Sequence, residues 1–399
     1  MTTIELDDRF LSVRAGTKRR EADIYLLYAD MRRDAPLWRS PWGDVYLSSY
    51  DLVSRALTSS AMSHALRSAS PNREGDETKV SPFTDWMLFM DGANHEALRR
   101  AVQGPLVATD GTLARRVAAI VNEVLETVDL NRPIDAVAQF TRVIPERVIG
   151  TILGVPVEEL PQIRSWSKSI RTILDVGMEP DGDYKSSAAT ELANYFLDAL
   201  RRRKPNETRL GDIKIAELAD AVGERTAASN LAFLAFAGHE TTVHSLGSLL
   251  LHLTKTPGIW EAVRDTPELA PAVVSEVLRL ESPVQKICRW AREDVDFGGG
   301  HGLCKNEFAV LLLGAANRDP LQFSEPDRID PSRAQNAQLA FGKGLHTCLG
   351  RGLALIEGIA VLRWLVENVV GIVRTGDEPR WIENSSFRGL ERLPITLRR

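Results

Sequence analysis

Phe341-Gly342-Lys343-Gly344-Leu345-His346-Thr347-Cys348-Leu349-Gly350-Arg351-Gly352 is the most informative stretch of this 399-residue chain. Four glycines surround one cysteine, and the pattern that follows predicts a long amphipathic helix over Cys348–Val369. A cysteine just ahead of a helix N-terminus lies at the positive end of the macrodipole, which favours thiolate over thiol. Glycines let the backbone approach a bulky group and aim N–H groups at the sulfur. A thiolate held in this way is a metal or haem-iron ligand, or a nucleophile. A phosphate loop needs G-x-x-x-x-G-K-[ST], a string the chain lacks, and the dinucleotide fingerprint breaks at Thr347, where glycine is required. A zinc site would recruit His301, Cys304, His346 and Cys348, but His346-Thr347-Cys348 is too tight for ordinary zinc-ligand spacing.

Composition sets wider limits. Hydrophobic residues make up 44% and charged residues 26%, enough for a large core and against wholesale disorder. A net charge of −5 argues against a general nucleic-acid coat. Three cysteines cannot build a secreted disulfide framework and suit a reducing compartment. Met1–Phe10 lacks the basic and apolar regions of a signal peptide. The most apolar runs, Leu231–Ala237 and Phe308–Ala316, are too short to span a bilayer. The expectation is a cytoplasmic protein with neither nucleic acid nor membrane as partner.

Apolar periodicity predicts helices over Leu113–Val128, Ala188–Leu200, Thr226–Lys255 and Pro267–Glu281. The second runs into Arg201, Arg202, Arg203 and Lys204 before Pro205, a basic end that suits the dipole and reads as a solvated face. The third is apolar nearly all round at its start, as expected of a helix crossing the centre of a domain. Strand signals are fewer: Trp42–Leu47, the buried run Phe308–Leu313, and two edge candidates, Ile372–Arg374 and Ile395–Leu397. The balance is mainly α with small β-sheets, in a single domain over residues 1–399. Polar Arg67–Lys79 precedes an apolar patch, Pro82 to Phe89, and reads either as a lid over an apolar pocket or as a surface loop beside core.

The opening string resembles the haem-binding signature of the cytochrome P-450 family, F-x-x-G-x-x-x-C-x-G, with Phe341, Gly344, Cys348 and Gly350 in its fixed positions. The resemblance implies that Cys348 is the axial thiolate of haem b (iron protoporphyrin IX), with Phe341 and Gly350 against the haem and His346 at a propionate. Glu276-Val277-Leu278-Arg279 is similar to the family's E-x-x-R, two charges on one helix face, and implies a buried pair bracing the ligand loop. Ala237-Gly238-His239-Glu240-Thr241 resembles A-G-x-[DE]-T, a pattern that places a glycine mid-helix at a cost of about 1 kcal/mol. It implies that Ala237 and Gly238 leave room for dioxygen, that Thr241 hydrogen-bonds the distal oxygen, and that Glu240 feeds protons through water. His95 and Arg99 resemble H-x-x-x-R, and Arg289 the propionate arginine, so that with His346 four donors serve two carboxylates. The resemblance runs from about Tyr25 to the C-terminus. Local departures lie at Asp91-Gly92-Ala93, at His301–Glu307 and at Ile329.

The implied fold is a triangular helical prism, with haem between the long central helix and the cysteine loop. The implied activity is that of a monooxygenase that inserts one atom of O2, by hydroxylation or epoxidation, into a small aromatic or apolar substrate of secondary metabolism. Electrons would come from a ferredoxin and a ferredoxin reductase, docking on Arg99, Arg100, Lys343 and Arg351. Pocket candidates are Phe83, Trp86, Phe89, Phe233, Phe236, Val284, Gln285, Ile287, Ser386 and Phe387, with Gln285 and Ser386 orienting the substrate. The alternatives are oxidative aryl coupling or cyclisation, and a catalytically silent haem-protein partner.

Overall fold

The computed structural model describes residues 23–65, 83–107, 111–175, 187–202, 210–333 and 336–399; the proposed lid, Arg67–Lys79, and Arg203–Pro205 lie outside them. The order begins with α1 (Asp23–Asp34), β1 (Leu37–Arg39), β2 (Val45–Leu47), α2 (Tyr50–Thr58) and β3 (Met62–Ser63). Then come α3 (Gly92–Leu106), α4 (Thr112–Leu125), β4 (Pro133–Asp135), α5 (Val143–Leu153), α6 (Leu160–Ile173), α7 (Ser187–Arg202), α8 (Ile215–Val222) and α9 (Glu224–Lys255). The remainder is α10 (Ile259–Asp265), α11 (Ala270–Glu281), β5 (Ile287–Ala291), β6 (Val295–Gly298), β7 (His301–Leu303), β8 (Phe308–Leu311), α12 (Leu313–Ala316), α13 (Arg351–Asn368), β9 (Gly371–Arg374), β10 (Arg380–Trp381), β11 (Leu390–Arg392) and β12 (Pro394–Arg398). Among the described residues no helix is long and apolar enough to cross a membrane.

Helix α9 organises the fold. Its 32 residues span about 48 Å at 1.5 Å each. Glu224 in the first turn complements the dipole, and Pro257 follows its C-cap. Helices α5, α6, α7, α8 and α11 all pack on it, which explains why apolar residues surround its first half. Asn230, fully buried on α9, accepts from Met87 N at 2.8 Å and donates to Asp85 O at 2.7 Å. That side chain ties the aromatic patch around residue 86 to the central helix.

The largest sheet has the order β1-β2-β8-β5-β3; only the β2–β8 pair is parallel. A second sheet has the order β4-β12-β9. Ile395–Leu397 is therefore a central strand, not the edge expected. Its unforeseen partner is β4, a short strand whose proline sits on the outside of the sheet. Ile395 and Leu397 are fully buried as a result. Helix α13 also departs from expectation: it packs on both α4 and α11, so apolar residues ring it and no polar face develops.

The Glu276–Arg279 pair on α11 fixes the approach to the cysteine loop. Arg279, wholly buried, forks onto Glu276 at 2.8 and 3.0 Å. It also donates to the carbonyls of Asn317, Pro326 and Arg328 at 2.7–2.9 Å. Glu276 accepts in addition from Arg333 Nε, Asp330 N and Asn336 Nδ2. Asn317 Oδ1 then accepts from Leu339 N at 2.6 Å, two residues before Phe341. A buried ion pair is weak evidence for stability in itself; here it satisfies backbone carbonyls that have no sheet or helix partner.

Candidate functional site

Phe341–Cys348 forms a closed loop, because Cys348 N donates to Phe341 O at 2.8 Å. Gly344 has φ +77°, and a Cβ there would stand 2.7 Å from Leu57 O on α2. Glycine is demanded at that position by both backbone conformation and close approach. Lys343 Nζ donates to Ser54 Oγ at 2.8 Å, a second tie between loop and α2. Gly350 is the N-cap of α13 with φ −83°, which makes no demand for glycine.

Cys348 is accessible, whereas Cys288 is pushed up to about 12 by burial and Cys304 lies on an exposed turn. Desolvation by the surrounding chain pushes the Cys348 thiol up, against the Gly350 N–H and the charges of Arg99 and Arg351, which pull it down. Helix α13 begins only at Arg351, so the dipole acts from beyond two intervening residues. A cation bound at the sulfur would remove the proton outright. Among the described residues no cluster of three or more His, Cys, Asp or Glu side chains is arranged as a metal-ligand set. A metal held by this one sulfur must therefore arrive with ligands of its own.

The cations expected at the site do converge. The His95 and His346 rings lie 4.2 Å apart, and His64, which sequence reasoning missed, sits 5.0 Å from His346. Arg289 is buried and, among the described residues, donates only to the neighbouring Cys288 O, at 2.8 Å. Burial lowers all four groups: Arg289 to about 10, His346 to about 4, and His95 and His64 below their ordinary value; nearby positive charge adds to this for the histidines, from Arg99 at His95 and from Arg289 and the neighbouring imidazoles at His346 and His64. Arg99 is close enough to act on both His95 and Cys348. Asp91 answers this charge at His346 and His95, with Glu96 acting on His95 as well. Burial opposes ionisation of Asp91, yet hydrogen bonds from Ser63, Arg292 and His346 hold it at about 2. Buried Arg289 and His95 with half-buried His346, and Asp91 already taken by Ser63 and Arg292 as well as His346, suit a group that brings carboxylates. Together with one accessible sulfur beside Phe341, the residues present fit a haem.

On α9, Phe233, Ala237, Thr241 and Ser245 are only half-buried and recur every four residues, one open stripe on an otherwise covered helix. Ser245 belongs to this stripe by spacing alone and was overlooked. Thr241 Oγ1 donates to Ala237 O at 3.1 Å. Gly238 has a different reason for its size: a Cβ there would meet Ile149 of α5 at 2.7 Å. Helix crossing accounts for that glycine; the open room on the stripe comes from Ala237. Glu240 is buried. Its Oε2 accepts from Arg171 Nη1 at 2.8 Å and lies 3.5 Å from His244 Nε2; its Oε1 lies 3.8 Å from His239 Nε2. Burial works against its charge, but the two imidazoles and Arg171 hold it well below the usual carboxylate range.

The aromatic candidates form one cluster. Trp86 is fully buried between Phe83, at 4.8 Å, and Phe89, stacked at 6.4 Å, and it meets Phe233 and Phe236 at 5.1 and 6.0 Å. Phe387 lies edge-on to Phe236 at 6.2 Å. Trp86 is thus core, and the half-buried members are Phe89 and Phe233. Val284 and Ile287 are half-buried as well. Two expectations are overturned. Gln285 is buried; its Nε2 donates to Ser282 O at 2.7 Å, and its amide fills the space beside Gly314. Ser386 donates to Asp175 Oδ1 at 3.0 Å. The Gln285 Nε2 and the Ser386 hydroxyl are engaged in holding the chain, while Gln285 Oε1 is buried without a hydrogen-bond partner among the described residues.

A family model described as Cytochrome P450 matches residues 37–394. The "Biotin biosynthesis cytochrome P450" of Bacillus subtilis (strain 168) is 32% identical over 314 residues, covering 78% of this chain and 79% of that protein. The "Vitamin D(3) 25-hydroxylase" of Pseudonocardia autotrophica is 31% identical over 383 residues and 93% of both. Among solved structures, P450BioI in complex with hexadec-9Z-enoic acid ligated Acyl Carrier Protein superposes with a TM-score of 0.84 at 30% identity, covering 94% of this chain and 98% of that one.

Proposed function

Because this chain belongs to the cytochrome P450 family, whose monooxygenases carry haem b, we propose that it inserts one oxygen atom from O2 into a small apolar or aromatic substrate. The single observation that carries the reading is the accessible Cys348 beside a cation cluster short of carboxylates. Cys348 would hold the iron, and Arg289, His95, His346 and Arg99 the propionates. When bound, haem supplies dioxygen activation, with a thiolate that pushes electron density toward O–O cleavage.

The chain's own residues do the rest. Ala237 keeps the open stripe of α9 low, and Phe233 and Phe89 exclude water from it. Thr241 offers a hydroxyl there, currently turned to Ala237 O. Glu240 stands next to it as the ionised end of a proton supply. Phe387, Val284 and Ile287 complete an apolar wall with no charged group among them, which favours an apolar substrate. One relative is named a vitamin D(3) 25-hydroxylase and another is seen in complex with a hexadec-9Z-enoic acid ligated acyl carrier protein, both largely apolar molecules or chains.

Electrons would come from a ferredoxin and its reductase. Exposed Arg100, Lys343 and Arg351 offer a cationic face beside the cysteine loop, with Leu345, 69% exposed, among them. Reversing the charge of Arg100 and Arg351 should slow electron delivery and flatten its salt dependence; unchanged kinetics would oppose that docking face. The activity itself is tested by loading haem, selecting aromatic and apolar probes through the optical shift they cause, and supplying isotopically heavy dioxygen with surrogate ferredoxin and reductase. One heavy oxygen atom in the product supports the reading. Binding of many probes with label in none of the products overturns it.

A further inference from the structure

A small cavity lies where α5, α6 and α9 meet. Its polar lining is Glu146 from α5, Arg164 from α6 and His239 from α9. It offers about 10 Å³ of room for the centre of a water molecule, close to the minimum for one ordered water. Glu146 is 3% exposed and takes both Arg164 Nε and Arg164 Nη2 at 2.7 Å, while the Arg164 side chain is 40% exposed. That pair connects the cavity with the surface.

His239 is 2% exposed, and its Nδ1 lies 2.7 Å from Ala235 O. A carbonyl only accepts, so the hydrogen is assigned to Nδ1 and Nε2 carries the lone pair. Nε2 is buried with no hydrogen-bond partner among the described residues, and it lies 3.8 Å from Glu240 Oε1. Two buried acceptors so close require a donor between them or a proton on one of them. Glu240 Oε2 is already occupied by Arg171, so Oε1 is the oxygen left for exchange. The charged and titratable groups facing this point are His244 on α9, Arg171 and Arg164 on α6, and Glu146 on α5.

We propose that His239 is a positioning residue for proton supply: it holds a water of this cavity at Nε2 and passes a proton to Glu240 Oε1. The proton originates in solvent, crosses by the Arg164–Glu146 pair and the cavity water, and rests on Nε2 before moving to the carboxylate. His239 then returns to its neutral form with hydrogen on Nδ1, and no electrons move. This rests on the reading of Glu240 as the proton supply of the reaction.

The test uses the haem-loaded full chain with surrogate ferredoxin and reductase, as wild type and as H239F, H239Q, E240Q and the double variant H239F/E240Q. Crystal structures of wild type and H239F should show an ordered water within hydrogen-bond distance of Nε2 that vanishes in the variant. The share of electrons released as hydrogen peroxide, and the solvent isotope effect on NADPH consumption, should rise several-fold in H239F. Both should be intermediate in H239Q, whose amide holds water but does not titrate. The double variant should be no worse than E240Q, because both lesions lie on one route. A dry cavity, or a double variant whose losses add, overturns the relay while leaving Glu240 in its role. Wild-type behaviour of E240Q overturns the role of Glu240 and the relay with it.

Discussion

Arg171 and Glu240 form a buried ion pair at 2.8 Å between α6 and α9. The partner arginine sits only two residues before the end of α6, and Asp175 just beyond accepts from the backbone N–H groups of Ser385 and Ser386. The acid of the central helix, the end of α6 and the C-terminal segment are thereby joined. Replacing Arg171 with glutamine leaves a buried carboxylate without its cation, a change that costs about 3 kcal/mol at neutral pH. Glu240 has a depressed pKa in the fold, so its contribution is present above the unfolded carboxylate value and fades as the pH falls through the folded one. Urea unfolding at pH 7 and at pH 3 should therefore show a large gap between wild type and R171Q at the first and a smaller gap at the second. Equal gaps would contradict the pairing.

Arg279 makes five hydrogen bonds from a fully buried position, three of them to carbonyls in the segment leading to the cysteine loop. Lysine keeps the charge but not the fork. Arg279→Lys should lose about 3–5 kcal/mol and most of its haem uptake, read as the ratio of haem to protein after purification. Full loading of the variant would show that the loop does not depend on this brace.

The histidines near residue 346 carry an acid-sensitivity signature. His346, His95 and His64 all have folded values below the ordinary one. The unfolded chain binds more protons than the folded chain between the ordinary histidine value of about 6.5 and the folded value near 4 of His346. Stability of the haem-free protein should then fall as the pH drops across that window. Carboxylates bound among these groups raise their pKa and reduce the loss. Thermal melts from pH 7 to 4, with and without haem, should diverge toward acid; parallel curves would contradict propionate binding at these histidines.

Glu357 on α13 is wholly buried and neither carboxylate oxygen has a hydrogen-bond partner among the described residues. Burial pushes its pKa well above the usual range, so it is a neutral acid in the fold. The folded state binds the extra proton here, and stability falls as pH rises from about 4.3 by up to about 1.4 kcal/mol per pH unit. Glu357→Gln should abolish that slope. The variant should gain on wild type as the pH rises above the usual carboxylate range in chemical unfolding, and a constant difference would contradict the neutral state.

The parts legible in sequence are those whose chemistry is packed into short spacings. Phe341–Gly352, Glu276–Arg279 and Ala237–Thr241 each carry their signal within a dozen residues. The open stripe was half legible: Phe233, Ala237 and Thr241 were noticed, and Ser245 follows from the same period. What long-range packing decides stayed hidden. Ile395 looked like an edge because its partner, Ile134, is far away in the chain. His64 and Asp91 join the cation cluster only because β3 pairs with β5, bringing residues 62–64 beside Arg292 and Asp91. Gln285 and Ser386 read as substrate-orienting from their position near pocket residues, but a backbone carbonyl takes the Gln285 Nε2 and Asp175 takes the Ser386 hydroxyl. At Cys348 burial pushes the thiol up while the Gly350 N–H, Arg99 and Arg351 pull it down, a balance that the spacing to the helix start at Arg351 does not reveal.

The most direct test of the whole reading is the optical spectrum of the reduced, haem-loaded protein under carbon monoxide, taken for wild type and for Cys348→Ser. Wild type should give the strongly red-shifted band of thiolate ligation, and the serine variant should lose it. A wild-type spectrum without that shift, or a serine variant that retains it, would contradict Cys348 as the iron ligand.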